Sequence, residues 1–365
     1  MSERDSGRDV VVVRTATTTQ IERWDAFVVA ASDGGDVWRG LDNAKAKESI
    51  GYSIRYLMVG DDAVTVHVKD VPVLGEMWIL PGGPSGKTLD EVLPKVRALA
   101  AYAAEHGAFV LRIDPRVQAG AGVEERLCAE GYRPAGMFTP NKHTVVLDLT
   151  GTEDEILAGF SKNARRAIKR AARDGVEIER VPATDANCDT MYDLLSATGN
   201  GRFGVRSREY CRSAYQGYAD RGNGQMFFAR LGGEIVAGSF EIRLGTKSLG
   251  LHGGSIRKKP GDATTNGLGS HGTGHALQWD VLRWAMESGA VEYDMCGTPP
   301  SAEADDPDNY FYGIGKFKRS FRDEIIDYVG AYDVPLNSWK STVWAGGLER
   351  ECKRFSMLVR GKHFL

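Results

Sequence analysis

The segment 162–173 carries six cations in twelve residues of a chain whose formal net charge is -3. The cations recur at steps of three and four residues, so that on a helix they form one broad stripe beside an apolar edge. The stripe consists of Lys162, Arg165, Arg166, Lys169, Arg170 and Arg173, and the expected edge of Leu157, Phe160, Ala164, Ile168 and Ala172. This local reversal of charge predicts a surface that binds a polyanion, whereas a solvated face that keeps the protein soluble is the simpler interpretation of any basic helix.

A second cationic segment, 316–322, places Lys316, Lys318, Arg319 and Arg322 around Phe317. By itself it is typical of a patch that contacts phosphates, because lysine and arginine side chains hold phosphate oxygens through charge-assisted hydrogen bonds. No Ser-His-Asp or Cys-His arrangement stands out elsewhere as a nucleophilic centre.

Metal and disulfide chemistry are not indicated. The five cysteines are widely separated and form no CxxC pair, which argues against a structural zinc site and a disulfide framework. His271 and His275 have the spacing of one helix face, but no third ligand is evident nearby, so we predict no metal site.

Strands and helices alternate along both halves of the chain. In the first half, we predict strands at 9–14, 56–59, 64–68, 77–80, 109–113 and 144–149, and helices at 89–106 and 122–130. Thr152 and Glu155 have the spacing of a capping box and predict the start of the basic helix. In the second half, we predict strands at 225–231, 234–244 and 291–295 and helices at 189–198, 209–220 and 274–288. This similar order predicts a duplicated α/β domain.

Glycine-rich loops are predicted at 81–84 and 252–255, each directly after a strand. The second is expected to continue as a polar, functional or mobile loop to about residue 270, containing Lys-Lys-Pro-Gly at 258–261.

The composition is that of a globular protein of 365 residues, with 42% apolar and 26% charged residues, and this length favours two domains. No window approaches eighteen consecutive apolar residues, and the polar N-terminal residues do not match a signal peptide. We therefore expect a cytoplasmic protein without an integral membrane segment, and a monomer.

Several short motifs occur in a fixed order. They are Lys-Glu-Ser-Ile-Gly-Tyr at 47–52, Leu-Arg-Ile-Asp-Pro at 111–115, Gly-Tyr-Arg-Pro at 131–134, Leu-Asp-Leu at 147–149, the basic helix, Phe-Gly-Val-Arg-Ser at 203–207 with Tyr210, Gln-Trp-Asp at 278–280, Tyr-Asp-Met-Cys-Gly at 293–297 and Gly-Lys-Phe-Lys-Arg-Ser-Phe at 315–321. This order resembles the FemABX family of non-ribosomal aminoacyltransferases, which move an amino acid from aminoacyl-tRNA to the stem peptide of a peptidoglycan precursor. The resemblance covers roughly residues 35–330.

The resemblance implies an α/β (α+β) fold of two tandem GNAT-like (acyl-CoA N-acyltransferase-like) domains. The first would comprise residues 1–150, completed by about 325–365, and the second residues 151–324. No heptad repeat of the length of a coiled-coil arm is present. The chain therefore resembles the armless FemX type.

The resemblance also implies roles for residues in the reaction. Aminoacyl transfer from a ribose ester to an amine develops an oxyanion, and a fixed cation or hydrogen-bond donor aimed at that oxygen is usually the largest catalytic contribution. Lys318 is expected to be this donor, and Phe317 to support the terminal adenosine or the lysine itself. Asp114 is a candidate acceptor for the amine proton, although such a residue more often caps a helix or forms a salt bridge. The alternative proton carrier is the ribose hydroxyl next to the ester.

The implied acceptor is a UDP-linked muramyl pentapeptide or a lipid-linked precursor, held by Lys47, Arg206 and Tyr210. The stripe cations, together with Lys316 and Arg319, would hold tRNA through its backbone. No cofactor is implied, and the transferred residue would be glycine, alanine or serine, used to form an interpeptide bridge.

Three other functions remain compatible with the sequence. A tRNA-dependent aminoacyltransferase that acts on a natural product or in a resistance pathway would share the same motifs. An acetyl-CoA-dependent N-acetyltransferase would need a glycine-rich pyrophosphate loop, and the nearest run, at 266–271, lacks the leading Gln or Arg. A non-catalytic RNA-binding protein would depend on the basic helix and not on Lys318.

Overall fold

The computed structural model describes residues 11–199, 204–256, 271–360 and Phe364. The helices are α1 (Thr18–Glu22), α2 (Trp24–Val29), α3 (Leu41–Glu48), α4 (Leu89–Glu105), α5 (Val123–Ala129), α6 (Glu153–Gly159), α7 (Lys162–Arg173), α8 (Asp185–Gly199), α9 (Arg208–Asp220), α10 (Thr273–Glu287), α11 (Tyr312–Arg319), α12 (Ser338–Val343) and α13 (Glu349–Arg360). The strands are β1 (Val13–Thr15), β2 (Ser53–Val59), β3 (Asp62–Val71), β4 (Gly75–Leu80), β5 (Ala108–Ile113), β6 (Arg133–Pro134), β7 (His143–Thr144), β8 (Val146–Asp148), β9 (Val176–Val181), β10 (Gly224–Leu231), β11 (Glu234–Leu244), β12 (Lys247–Ser255), β13 (Glu292–Asp294), β14 (Ile326–Asp327) and β15 (Tyr332–Pro335).

Two large sheets organise the described residues. The first has the order β1-β2-β3-β4-β5-β15-β6, and the second β8-β13-β12-β11-β10-β9. In each sheet an antiparallel meander is followed by one parallel pair, β4 with β5 and β12 with β13, and a long helix, α4 or α10, connects the two parallel strands. The predicted duplicated α/β fold is therefore confirmed.

The parallel pair of the second sheet separates after three residues. β12 pairs with β13 only from Lys247 to Leu249, but it continues to pair with β11 as far as Ser255. Beyond Leu249 the second half of β12 and the residues that follow β13 therefore diverge. We call the space bounded by Gly250–Ser255 and Met295–Thr298 the strand opening.

The C-terminal part of the chain returns to the first sheet. β15 lies between β5 and β6, and Asp333 and Glu349 both accept hydrogen bonds from the buried Arg112. Trp344, in a π-helical turn before α13, is 1% exposed and packs edge-on against Phe109, with ring centroids 6.0 Å apart. These contacts cover one face of the first sheet.

The two halves share a hydrophobic core. Trp24 and Met58 from the first half lie in one buried cluster with Tyr215, Phe240 and other residues of the second half. At its edge Arg221 of the second half bonds Asp25 and Asp42 of the first. The halves are therefore packed through apolar side chains and ion pairs.

Some local predictions are wrong. The capping box of Thr152 and Glu155 starts the separate helix α6, whereas α7 begins after Ser161, whose hydroxyl accepts a hydrogen bond from Ala164 N at 3.1 Å. Ala172 is exposed and does not belong to the apolar edge of α7. The predicted strand at 144–149 is divided into β7 and β8, which lie in different sheets.

The glycines at 252–255 do not form a loop, because β12 runs through them. A Cβ at Gly254 would lie 2.5 Å from the carbonyl carbon of Leu194 in α8, so glycine permits α8 to pack closely on the strand. The Lys-Lys-Pro-Gly loop and residues 266–270 lie outside the described residues.

Candidate active site

Lys318 lies on α11 and faces the strand opening. Its Nζ donates hydrogen bonds to the carbonyl oxygens of Cys296 and Gly297, at 2.9 and 2.8 Å. An ammonium group has three N–H donors, so one remains for a ligand. Burial lowers the pKa of Lys318, and the neighbouring Cys296, Asp294 and Glu241 offset this effect in part. The protein therefore fixes the ammonium group in place, with the acids Asp294 and Glu241 near it.

Glu241 on β11 is a second ionisable group in this region, and its side chain is 2% exposed. The hydroxyl of Tyr293, on β13, donates to Glu241 Oε2 at 2.6 Å. Burial raises the pKa of Glu241 to about 7, despite the hydrogen bond from Tyr293 and the positive charge of Lys318. The sequence analysis missed Glu241, although a single acid within the otherwise apolar run Val-Ala-Gly-Ser-Phe-Glu-Ile at 236–242 was a usable signal.

Asp114 follows β5 and is 3% exposed. Its Oδ2 accepts a hydrogen bond from the Thr139 hydroxyl, and burial raises the pKa of the Asp114 carboxyl. Pro140, the residue after Thr139, accepts a hydrogen bond at its carbonyl oxygen from Gly297 N at 3.0 Å. Asp114 and the carbonyls that hold Lys318 are therefore linked through two consecutive residues, Thr139 and Pro140.

The segment 138–141 continues this connection on both sides. Asn141 accepts a hydrogen bond from Arg116 at 2.5 Å and donates to Asp294 at 2.7 Å. At the other end, the ring of Phe138 lies 4.8 Å from Lys47 Nζ. We call residues 138–141 the connecting segment, because it contacts both Asp114, predicted for the chemistry, and Lys47, predicted for the acceptor.

Lys47, Arg206 and Tyr210, which the sequence predicts to bind the acceptor, lie close together. The guanidinium of Arg206 is 6.0 Å from the centre of the Tyr210 ring, and Lys47 lies within electrostatic range of Arg206 and Lys69. Burial lowers the pKa of Lys47 to about 7, and the like charges of Arg206 and Lys69 act in the same direction. Positive groups held this close favour an anionic ligand.

Two further residues of this cluster were missed by the sequence analysis. Tyr52 is 5% exposed and His67 is fully buried, and neither the Tyr52 hydroxyl nor either His67 ring nitrogen has a hydrogen-bond partner among the described residues. Buried polar atoms are normally paired, so such atoms frequently mark a site that a ligand or water completes. Tyr52 belongs to the quoted motif at 47–52, but His67 stands alone in a strand and gave no usable signal.

The six cations of α7 do not form one uniform surface. Lys162, Arg166 and Lys169 are exposed, whereas Arg165 donates to the carbonyl of Ala158 at 2.6 Å and Arg173 pairs with Asp174 at 2.9 Å. Arg170 is partly buried and lies near His275. The outward charge of the helix therefore comes mainly from Lys162, Arg166 and Lys169, because the exposed Arg173 is paired with an acid.

The basic helix starts beside the end of α11. Ser161 N donates to the carbonyl of Ser320 at 2.9 Å, so the N-terminus of α7 adjoins the helix that carries Lys318. On α11 itself Lys316 is exposed, but Arg319 is held by Asp305 and Asp323 at 2.7 and 2.8 Å. Lys316 is therefore the cation of this helix that is better placed to extend the surface of α7.

Phe317 packs inward and is not an open platform. Its ring contacts His275 and Phe321 edge-on, with centroids 4.9 and 5.3 Å away. The exposed aromatic residues nearby are Tyr310 and Phe311, and a Cβ at Gly297 would lie 3.8 Å from the Phe311 ring. The sequence analysis did not identify this pair, although the aromatic run Tyr-Phe-Tyr at 310–312 was visible.

His271 and His275, which have the spacing of one helix face, contact different residues. His271 pairs with Asp174 at 3.2 Å, while His275 lies 3.2 Å from the Ser320 hydroxyl. Within the described ranges, no group of three His, Cys, Asp or Glu side chains is arranged to hold a metal ion.

A cleft of about 650 Å³ lies between the halves, beside these groups. Its lining includes Asp36, Arg116, Asn141 and Asp294, so the hydrogen-bonded chain from Arg116 to Asp294 separates it from the carbonyls that hold Lys318. None of the predicted site residues is among the described residues that line this cleft.

Known proteins resemble this chain in sequence and in fold. A family model described as an acetyltransferase (GNAT) domain matches residues 158–312. Lipid II:glycine glycyltransferase of Staphylococcus epidermidis is 21% identical, with 87% of this chain and 91% of that protein covered. The protein of the same name in Staphylococcus aureus is also 21% identical, with 86% and 91% covered. A solved structure of FemX superposes with a TM-score of 0.74 at 20% identity and covers 91% of this chain and 99% of its own.

These similarities extend over most of the chain and agree with the resemblance to the FemABX family that its motifs indicate. The solved FemX structure shares the tandem GNAT-like fold implied by the motifs of the sequence. Within the described ranges, no helix is longer than the 17 residues of α4. In the same ranges, no helix combines the length and apolarity needed to cross a bilayer.

Proposed function

We propose that the protein is a non-ribosomal aminoacyltransferase that moves glycine, alanine or serine from aminoacyl-tRNA to the stem peptide of a peptidoglycan precursor, forming an interpeptide bridge. The observation that carries the proposal is the position of Lys318. Its Nζ is fixed by two carbonyls, beside the start of the basic helix α7 and one connecting segment away from Lys47. The names of the staphylococcal relatives, glycyltransferases that act on lipid II, support the same class of reaction.

The donor would bind across α7 and α11. Lys162, Arg166, Lys169 and Lys316 are exposed and suit contacts with the phosphates of an acceptor stem, which require no reading of base sequence. Tyr310 and Phe311 would stack with the unpaired bases at the 3′ end, because aromatic rings bind single-stranded nucleotides without strong base preference. Phe317 would hold Lys318 in position, because its ring packs against His275 and Phe321 on the inner side of α11.

The acceptor would bind at the cationic cluster of Lys47, Arg206 and Tyr210. A diphosphate suits this cluster, because it brings negative charge to two cations and hydrogen-bond acceptors to phenol and guanidinium groups. UDP-linked and lipid-linked precursors both carry this diphosphate. The relatives that act on lipid II support the lipid-linked acceptor.

In the reaction, the neutral amine of the stem peptide would attack the ester carbonyl of the donor. A C–N bond forms, the carbonyl oxygen becomes negative, and the third N–H of Lys318 donates to it. Collapse of this intermediate breaks the bond to the ribose oxygen, which receives the proton released by the amine. The ribose hydroxyl next to the ester or Asp114 would carry that proton.

The test is to incubate the purified protein with charged tRNAs and either UDP-linked or lipid-linked muramyl pentapeptide, and to weigh the products by mass spectrometry. The expected product is heavier by one glycyl, alanyl or seryl residue. In Lys318→Ala, we expect turnover to fall by about 10²–10³ or more while tRNA affinity stays nearly unchanged, because one oxyanion donor has been removed.

Lys45→Ala is the matched control, because Lys45 is an exposed lysine that takes no part in the proposed site. Normal turnover by Lys318→Ala would remove Lys318 from the mechanism. Failure of the unaltered protein to transfer any of the three residues to either precursor would refute the proposed function itself.

A further inference from the structure

Glu241 has no role in the reaction described above, although it lies near Lys318. It projects from β11 towards the strand opening, on the side where Lys318 is fixed to the carbonyls of Cys296 and Gly297. Its partner Tyr293 precedes those two residues on the same chain segment. A buried carboxylate and a buried ammonium group are therefore both anchored to residues 293–297.

Gly250 lets β12 pass close to this carboxylate. It lies directly opposite Glu241 in the β11–β12 ladder, where the register shifts between Phe240 and Glu241. A Cβ at Gly250 would lie 3.0 Å from the Tyr293 hydroxyl and 3.4 Å from Glu241 Oε2. Any larger side chain at Gly250 would crowd the pair, so glycine at this position preserves the hydrogen bond between Tyr293 and the carboxylate.

The charges point to a cationic ligand. Arg116 acts on Asp294, whereas Lys318 is the cation that acts on Glu241; no salt bridge joins Glu241 to Lys318 among the described residues, so this carboxylate can still pair with a positive group. Isolated buried carboxylates are costly, and the cost falls when an ammonium group binds to them. An aminoacyl ester carries such a group two bonds from the carbonyl carbon that Lys318 is expected to serve.

We propose that Glu241 binds the α-ammonium group of the aminoacyl donor, so that the strand opening selects α-amino acyl esters over other acyl esters. This inference rests on the proposed function. Lys318 would then donate a hydrogen bond to the carbonyl oxygen, and Glu241 would accept one from the α-ammonium group. Together the two side chains would hold the ester in position for attack. Tyr293 acts as a positioning residue, because its hydroxyl holds Oε2 and turns the carboxylate towards the opening.

The test compares two donors that differ in one group. One is the aminoacyl-tRNA that the unaltered protein uses best, and the other is its hydroxyacyl counterpart, in which a hydroxyl replaces the α-amino group. We expect the unaltered protein to prefer the aminoacyl donor by about ten- to a hundredfold in kcat/KM, the range of one hydrogen bond to a charged group. In Glu241→Gln this preference should shrink to about threefold or less, mainly by loss of activity with the aminoacyl donor.

Glu292→Gln is the matched control, since Glu292 is a carboxylate of β13 whose nearest cation is Lys247 instead of Lys318. It should keep the full preference. If Glu241 served only as a counter-ion for Lys318, both donors would lose activity by the same factor in Glu241→Gln, and that result would overturn the inference. Absence of transfer from both donors in the unaltered protein would instead refute the proposed function.

A measurement on the unaltered protein avoids any dependence on how a variant folds. Amide-linked 3′-aminoacyl adenosine is stable to transfer, and its deaminated analogue lacks only the ammonium group. Titration followed by NMR should give tighter binding of the first compound by at least about tenfold. Equal affinity for the two compounds would contradict the assignment of Glu241.

Discussion

Lys47 and Lys318 show how two lysines taken out of water acquire different properties. Lys318 has two carbonyl acceptors and acidic neighbours, which support its charge. Lys47 instead lies over the rings of Phe138 and Tyr52 and beside the cation Arg206. The first is suited to donate a hydrogen bond throughout a reaction, whereas the second should gain its charge when an anion arrives.

This difference predicts that binding of a nucleoside diphosphate depends on pH through Lys47. With its pKa lowered to about 7, Lys47 is largely neutral above pH 7 in the free protein and becomes protonated when a diphosphate binds. The affinity for UDP should therefore fall as pH rises from 7 to 9, by up to about tenfold per unit. Isothermal titration in buffers of different ionisation enthalpy measures both the affinity and the proton uptake.

Lys47→Arg provides the comparison, because a guanidinium keeps its charge over this whole range. Its affinity for UDP should vary little between pH 7 and 9. A flat profile for the unaltered protein, without proton uptake, would show that Lys47 is already charged before the ligand binds.

Some residues of the candidate site could be predicted from the sequence. Lys47, Arg206 and Tyr210 could be predicted because they stand in motifs, and the structure brings the three together. His67 could not be predicted, and Glu241 was marked only by the apolar run around it, because each lies in a strand and its importance comes from burial beside charged groups distant in the chain. Such contacts depend on tertiary packing, which local spacing does not encode.

At the scale of elements, α7 combines a structural and a binding role. Ala164, Ala167 and Ala171 form its buried side, and these small residues allow the helix to approach α10. Arg165 bonds the carbonyls that end α6, and Arg173 pairs with an acid at the end of its own helix. The remaining exposed cations are thus free for a polyanion.

We predict that α7 governs the salt dependence of tRNA binding. Replacing Lys162, Arg166 and Lys169 by alanine should weaken binding at low salt and reduce the slope of log K against log salt by about one for each phosphate that the variant no longer neutralises. Arg173→Ala is the control, because its guanidinium is already paired with Asp174, and it should change the slope much less. Filter binding over a salt series gives the slopes, and equal slopes for the triple variant and the unaltered protein would exclude α7 as the tRNA surface.

The helices were more predictable than their ends and the glycine-rich strand. The 3.6-residue periodicity identified α4, α9 and α10 closely, but the break between α6 and α7 was missed, because the extended backbone of Phe160 interrupts an otherwise continuous pattern. The two glycines at 253–254 were interpreted as a loop. Glycine is required at this point of the strand for a steric reason, because β12 passes close to the backbone of α8.

At the scale of the molecule, the two sheets are joined more closely than a simple tandem arrangement would require. The order of elements allowed the duplication to be predicted, since both halves show the same alternation of strands and helices. The shared core could not be predicted, because Met58 and Phe240 look like ordinary strand residues until the halves are packed together.

This shared core predicts one cooperative unfolding transition. Fluorescence of Trp78 in the first sheet and of Trp284 on α10, each measured in a variant that retains it as the only tryptophan, should report the same urea midpoint. Met58→Ala should destabilise both probes together by about 2–5 kcal/mol, because Met58 is 1% exposed in the common cluster. Two separate midpoints, or an effect of Met58→Ala on Trp78 alone, would mean that the halves unfold independently.

The place of β15 between β5 and β6 has a consequence for biosynthesis. The ribosome releases β6 about 200 residues before it releases β15, and at roughly 5–20 residues per second this gap lasts on the order of 10–40 seconds. Throughout that interval the nascent first sheet lacks the strand that joins β5 to β6, and the apolar surface later covered by Trp344 stays open to solvent. The protein should therefore depend on ribosome-associated chaperones more than a protein whose sheets are each encoded by one continuous stretch.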